Sequence, residues 1–126
     1  MGSAPLALLL AAAPLMADQT LLQYAGEKPV RVYTYATDQI PLGKGDNTNN
    51  FAQGDKILQL SRLDLTSLEG IANLKVLDQG KVRSIRELED LHLYVNENKL
   101  RSLPAEFFTG LSRGLFEVGQ FHIPCW

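Results

Sequence analysis

Cysteine is almost missing from this chain, with Cys125 its single example. One thiol excludes an internal disulfide and any multi-cysteine zinc site. Two histidines, His92 and His122, leave little room for histidine-based metal or acid–base chemistry. A basic excess is also lacking: 12 Lys and Arg stand against 14 Asp and Glu, for a formal net charge of −2. The field that draws in nucleic acid is therefore absent, and no nucleic-acid partner is expected. The apolar run at residues 6–17 (LALLLAAAPLMA) falls short of the roughly twenty residues that span a bilayer, so no membrane span is expected.

What is present is the profile of a globular chain. Its 126 residues suit one domain, 45% are hydrophobic and 21% charged, and 22 are leucine. Residues 1–17 read in two ways. They have the length of a signal-peptide core, with the small Ala17 followed by Asp18, or they form an Ala/Leu-rich helix packed on the domain. The absence of Lys or Arg in the first five residues, and Leu15 three before the cut, weigh against cleavage. A signal peptide implies a secreted or periplasmic protein; otherwise the cytoplasm is expected.

Residues 30–37 (VRVYTYAT) alternate apolar and polar types after Pro29, which predicts a strand. Residues 43–54 (GKGDNTNNFAQG) follow as a Gly/Asn-rich loop. The loop does not bind phosphate in the usual way, because Gly43-Lys44-Gly45 lacks the Lys-Ser/Thr ending. Nor does it make a calcium loop from Asp46, Thr48 and Asn50: Phe51 stands where Gly is needed and Ile57 where the bidentate Glu belongs.

Catalytic constellations are equally scarce. The chain has no GxSxG elbow and no HExxH pair. Cys125 and His122 lie close in sequence, but no third group orients them. His92 is expected on the surface, and Glu87, Glu89 and Asp90 are expected to form a solvated face. The expectation is a protein without catalysis, bound metal or cofactor.

From Leu58 the apolar positions run Leu58, Leu60, Leu63, Leu65, Leu68, Ile71, Leu74 and Leu77, at uneven steps of two and three. Neither the helical period nor strand alternation produces that mixture. A second stretch, LYVNENKLRSLPAEFFTGL from Leu93, repeats the theme, with a weaker passage through Val82, Ile85, Leu88 and Leu91 between them. This LxxLxLxxNxLxxL pattern resembles the leucine-rich repeat family over residues 57–115.

The resemblance implies an α/β solenoid, a short leucine-rich-repeat array of about three coils with parallel concave strands. Residues 18–56 then supply an N-terminal cap strand and loop, and residues 116–126 a C-terminal cap with Phe116, Val118, Phe121, Ile123 and Trp126. Asn98 falls on the family's structural asparagine and Phe108 on its packing phenylalanine. The outward strand positions Gln59, Ser61, Arg62, Lys81, Arg83, Tyr94, Asn96 and Glu97 would form one ribbon that binds a protein or peptide partner. The alternatives are a scaffold piece of a larger assembly, self-associating through bare array ends, or a truncated or degenerate repeat fragment with no selected activity. The competing folds are a mixed α+β domain and a small helical one, with residues 84–93 as a helix.

Overall fold

The computed structural model describes residues 18–43, 46, 48–110 and 115–118, with side chains through Phe107. Expectations for residues 1–17, for the side chains of Phe108, Phe116 and Val118, and for Phe121, His122, Ile123, Cys125 and Trp126 lie outside these residues.

Strand β1 (Gln19–Thr20) leads into helix α1 (Leu21–Ala25) through a reciprocal cap. The Gln23 N–H donates to Thr20 Oγ1 at 3.1 Å, and the Thr20 N–H donates to Gln23 Oε1 at 2.8 Å. Two otherwise unpaired donors are satisfied, and Gly26 at φ 59° ends the helix after five residues. Then come β2 (Val30–Thr34), β3 (Lys56–Gln59), β4 (Leu65–Ser67), β5 (Lys75–Asp78), β6 (Lys81–Ser84), β7 (Leu91–Tyr94), helix α2 (Ala105–Gly110) and β8 (Leu115–Val118). Single 3-10 turns at Ile71–Asn73 and Ile85–Glu87 carry the chain between strands.

Six strands form one mixed sheet in the order β6-β5-β2-β3-β7-β8, and β1 and β4 pair separately in parallel. Within the large sheet β2·β3 and β5·β6 are antiparallel, while β2·β5, β3·β7 and β7·β8 are parallel. Register sorts the side chains onto two faces. Val30, Val32, Val76, Leu58, Leu60, Leu91, Leu93 and Val95 share an inner face. Leu21, Leu65, Leu68, Ile71, Leu74, Ile85, Leu88, Leu100 and Phe107 cover it, making the core.

This architecture overturns the solenoid. Stacked coils require every strand to run parallel at a regular step, and here two of the five pairings in the main sheet are antiparallel. The strand in residues 30–37 is not an end cap. It is β2, in the middle of the sheet, between β5 and β3.

The supposed middle coil fails for a local reason. Gln79 and Gly80 both adopt positive φ, 52° and 83°, and Asp78 pairs directly with Lys81. Two consecutive left-handed residues between paired strands make the tight turn whose twist matches a hairpin. The chain therefore folds back on β5, and Val82 points to solvent at 57% exposure. Residues 84–93 are not a helix either: they supply the end of β6, a 3-10 turn and most of β7.

The two strongest sequence matches do lie side by side, since β3 pairs in parallel with β7 and Leu58 sits against Leu93. The alignment continues past the strands, with the Leu60 N–H donating to the Tyr94 carbonyl at 2.8 Å and the Arg62 N–H to the Asn96 carbonyl at 3.1 Å. Asn98 locks this junction. Its Oδ1 accepts from the N–H groups of Leu63 and Leu65, each at 3.0 Å. Its Nδ2 donates to the carbonyls of Leu60 at 2.8 Å and Val95 at 3.0 Å. An amide suits this position because it alone offers donors and an acceptor on one short, uncharged side chain.

Candidate interaction surface

Among the described residues, the outer face of the sheet divides into a covered half and a bare half. Over β3 and β7 the long connection between β2 and β3 folds back onto the strands. Asp46, with only 2% of its side chain exposed, is the centre of this cover. Its Oδ2 accepts from the Gly43 N–H at 2.9 Å and from Gln59 Nε2 at 3.2 Å, and its Oδ1 from Asn96 Nδ2 at 3.1 Å and Arg62 at 3.4 Å. Burial is the largest single influence on this carboxyl and opposes its charge. The hydrogen bonds from Gly43, Arg62, Asn96 and Gln59 together outweigh burial and hold the group below the ordinary aspartate value.

Farther along the same face, Phe51 stacks on His92 with ring centroids 3.7 Å apart, and Tyr35 meets Phe51 edge-on at 5.5 Å. His92 is not on the surface. It is buried and bonded through Nε2 to Asp55 Oδ2 at 2.9 Å.

The eight residues expected to line one binding ribbon therefore separate. Gln59, Ser61, Arg62, Tyr94, Asn96 and Glu97 gather at the ends of β3 and β7. Of these, Ser61, Tyr94 and Asn96 are buried, with Tyr94 only 3% exposed, so they cannot form a partner-facing surface. Ser61 Oγ hydrogen-bonds Asn96 Oδ1, and Gln59 donates to the Pro41 carbonyl at 2.9 Å, so these groups serve the cover. Arg62 bridges Asp46 and Glu97, with Arg62 Nε 3.3 Å from Glu97 Oε2. Lys81 and Arg83 lie elsewhere, on β6 at the sheet edge.

Arg83 belongs to a charge row across the inner face. Its Nε stands 3.4 Å from Asp78 Oδ2, while Lys56 Nζ lies 3.0 Å from Asp78 Oδ1 and donates to Thr34 Oγ1 at 3.0 Å. Asp78 is buried, and two cations flank it, which is the condition for keeping a carboxylate out of water. Asp78, Lys56, Arg83 and the Thr34 hydroxyl thus form one ion and hydrogen-bond network.

Over β2, β5 and β6 the outer face carries Arg31, Tyr33, Lys75, Leu77 and Val82. Register puts Arg31, Leu77 and Val82 in one cross-strand row. The Arg31 guanidinium lies 4.6 Å from the centre of the Tyr33 ring and 4.0 Å from Asp38. An aromatic ring, a guanidinium and two aliphatic side chains thus share this face, beside a strand edge that no other described strand pairs with. The sequence signal for it was the Gln79-Gly80 turn between β5 and β6, which the leucine pattern masked.

A separate cleft of about 500 Å³ opens between α1 and the Ile71–Asn73 turn, lined by Leu22, Glu27, Gly70, Asn73 and Glu106 among others. No group of three or more His, Cys, Asp or Glu side chains among the described residues could hold a metal ion. No helix among them is long and apolar enough to cross a membrane. Comparison with protein-family models, with curated proteins and with solved structures finds no match for this chain.

Proposed function

We propose that this protein is a binding module, without a reaction of its own, that takes a protein or peptide partner on the bare half of its outer sheet face. The observation that carries this reading is the row Arg31–Leu77–Val82 with Tyr33 beside it: Val82 is among the most exposed large hydrophobic residues described, at 57%. Tyr and Arg are the types that anchor protein interfaces, and flat surfaces suit macromolecules better than small ligands. The covered half supports the same reading by contrast, because its equivalent positions are already occupied by the chain itself.

The test is selection from a random peptide library on the purified full chain, counter-selected on a Tyr33→Ala, Leu77→Asp double variant. Sequences enriched on the wild type and lost on the variant are the expected result. A library equally enriched on both proteins would refute the assignment of this face.

A further inference from the structure

We infer that the free edge of β6 accepts an acidic, extended segment of a partner protein as an added strand. This rests on the protein-binding reading and specifies how the partner is held. Among the described residues the one strand neighbour of β6 is β5, so its other side is an open row of main-chain groups. The hairpin geometry says which groups are free. Asp78 and Lys81 flank the two-residue turn as a hydrogen-bonded pair, so the next pair, Leu77 and Val82, is of the non-hydrogen-bonded kind. The Val82 N–H and C=O therefore point away from β5, and by alternation so do those of Ser84. Such a row is the template for strand addition, with main-chain bonds giving affinity and alternate side chains giving selectivity.

Charge selects the occupant. Across residues 75–84 the cations are Lys75, Lys81 and Arg83, and the single acid is Asp78. Asp78 is buried against Lys56 and Arg83, so the edge shows partners positive charge only. Lys81 and Arg83 share one face of the edge strand while Lys75 lies on the other face of β5, so a strand carrying Glu or Asp at alternate positions places carboxylates beside Lys81 and Arg83.

A second copy of this chain fits worse. Antiparallel pairing of two β6 strands about Val82 sets Lys81 of each opposite Arg83 of the other, and like charges directly opposite are unfavourable. Residues 1–17 contain no charged side chain and offer the edge cations nothing.

The test uses the full chain, isotope-labelled, and a short blocked peptide alternating Glu with Val and Thr, with its Lys-for-Glu counterpart as control. The acidic peptide is expected to slow amide hydrogen exchange of Val82 and Ser84 at least about tenfold at saturation, and the basic peptide to leave both unchanged. Val82→Pro removes the outward donor and is expected to weaken binding about tenfold or more. Lys81→Glu, at an exposed side chain that leaves the backbone intact, weakens it several-fold and guards against misfolding of the proline variant.

Three results overturn the inference. One is protection that rises with protein concentration in the absence of peptide, which identifies a second copy. Another is a Val82 amide that exchanges fast only after residues 1–17 are removed, which identifies the chain's own N-terminus. The third is library-selected peptides that need Tyr33 but tolerate Val82→Pro, in which case side-chain docking on the face survives and strand addition falls.

Discussion

The two antiparallel pairs of the main sheet are built from the same backbone pattern and end in opposite states. β5 and β6 are joined by two residues, Gln79 and Gly80, and no described connection folds over the outer face above them. β2 and β3 are joined by residues 35–55, a connection longer than the roughly 12–15 residues usual for structureless loops. That connection returns to cover β3 and β7. A tight turn leaves no chain with which to shield a strand, whereas a long one can carry Asp46, Phe51 and Asp55 back to the sheet. The difference shows where this protein invests its ordering and where it leaves surface for another molecule.

Substitutions at matched positions sharpen that contrast. Tyr94, buried on the outer face of β7, is expected to cost about 3–5 kcal/mol of stability when replaced by Ala, because a cavity remains under the cover. Leu77→Ala on the bare half is expected to cost about 1 kcal/mol or less. Urea unfolding of the two variants compares them directly, and equal losses would dissolve the distinction between the halves.

Asn98→Ala comes next. It leaves the Leu63 and Leu65 N–H groups and the Leu60 and Val95 carbonyls short of a partner, for an expected loss of about 2–4 kcal/mol in the same assay. Retained stability would mean that water replaces the amide without penalty.

The cover should also respond to acid. Asp46 is held below the ordinary aspartate value in the folded protein, so in the unfolded chain it binds a proton more readily. Its contribution is therefore fully present above the unfolded value near 4, and it is lost as pH falls through the lower folded value. Asp46→Asn is expected to flatten the acid limb of the stability profile below about pH 4 while leaving amide exchange at Val82 unchanged. A variant as acid-sensitive as the wild type would remove Asp46 from the cover's centre. The smallest effect belongs to Gly80→Ala. Open space surrounds a new Cβ there, so the left-handed backbone alone opposes it, at about 1 kcal/mol. A larger loss would show that the hairpin supports more of the fold than its exposure suggests.

The apolar pattern was read well as a list of inward residues and poorly as a topology. Leu58, Leu60, Leu65, Leu68, Ile71, Leu74, Ile85, Leu88 and Leu91 are buried as their spacing requires, while Leu63 and Leu77 are half-buried and Val82 is exposed. Spacing alone does not tell a return arm from a hairpin, however, and Gly80 between Gln79 and Lys81 was a turn signal that the leucines overshadowed. The strand at Val30 was plain from its alternation, but its place in the centre of the sheet depends on pairing with β5, far along the chain. The Asp46 centre and the His92–Asp55 pair were not legible for a similar reason. Asp46 meets Asn96 and Asp55 meets His92 across separations of 50 and 37 residues, and the polar types involved are equally at home in water. Asn98 was legible only through the repeat resemblance, since three of its four bonds reach Leu60, Leu63 and Leu65 from 33 to 38 residues away and one, to Val95, is local.

The parallel pairing of β3 with β7, clamped by Asn98 across 35 residues of chain, also sets an order of assembly. The β5–β6 hairpin lies inside the loop that this pairing must close, so it can zip up within microseconds from neighbouring residues alone. Closing the larger circuit is slower, because its entropy is spent before any contact rewards it. The strand that ends at the rim of the described sheet thus belongs to the unit whose closure costs the least entropy.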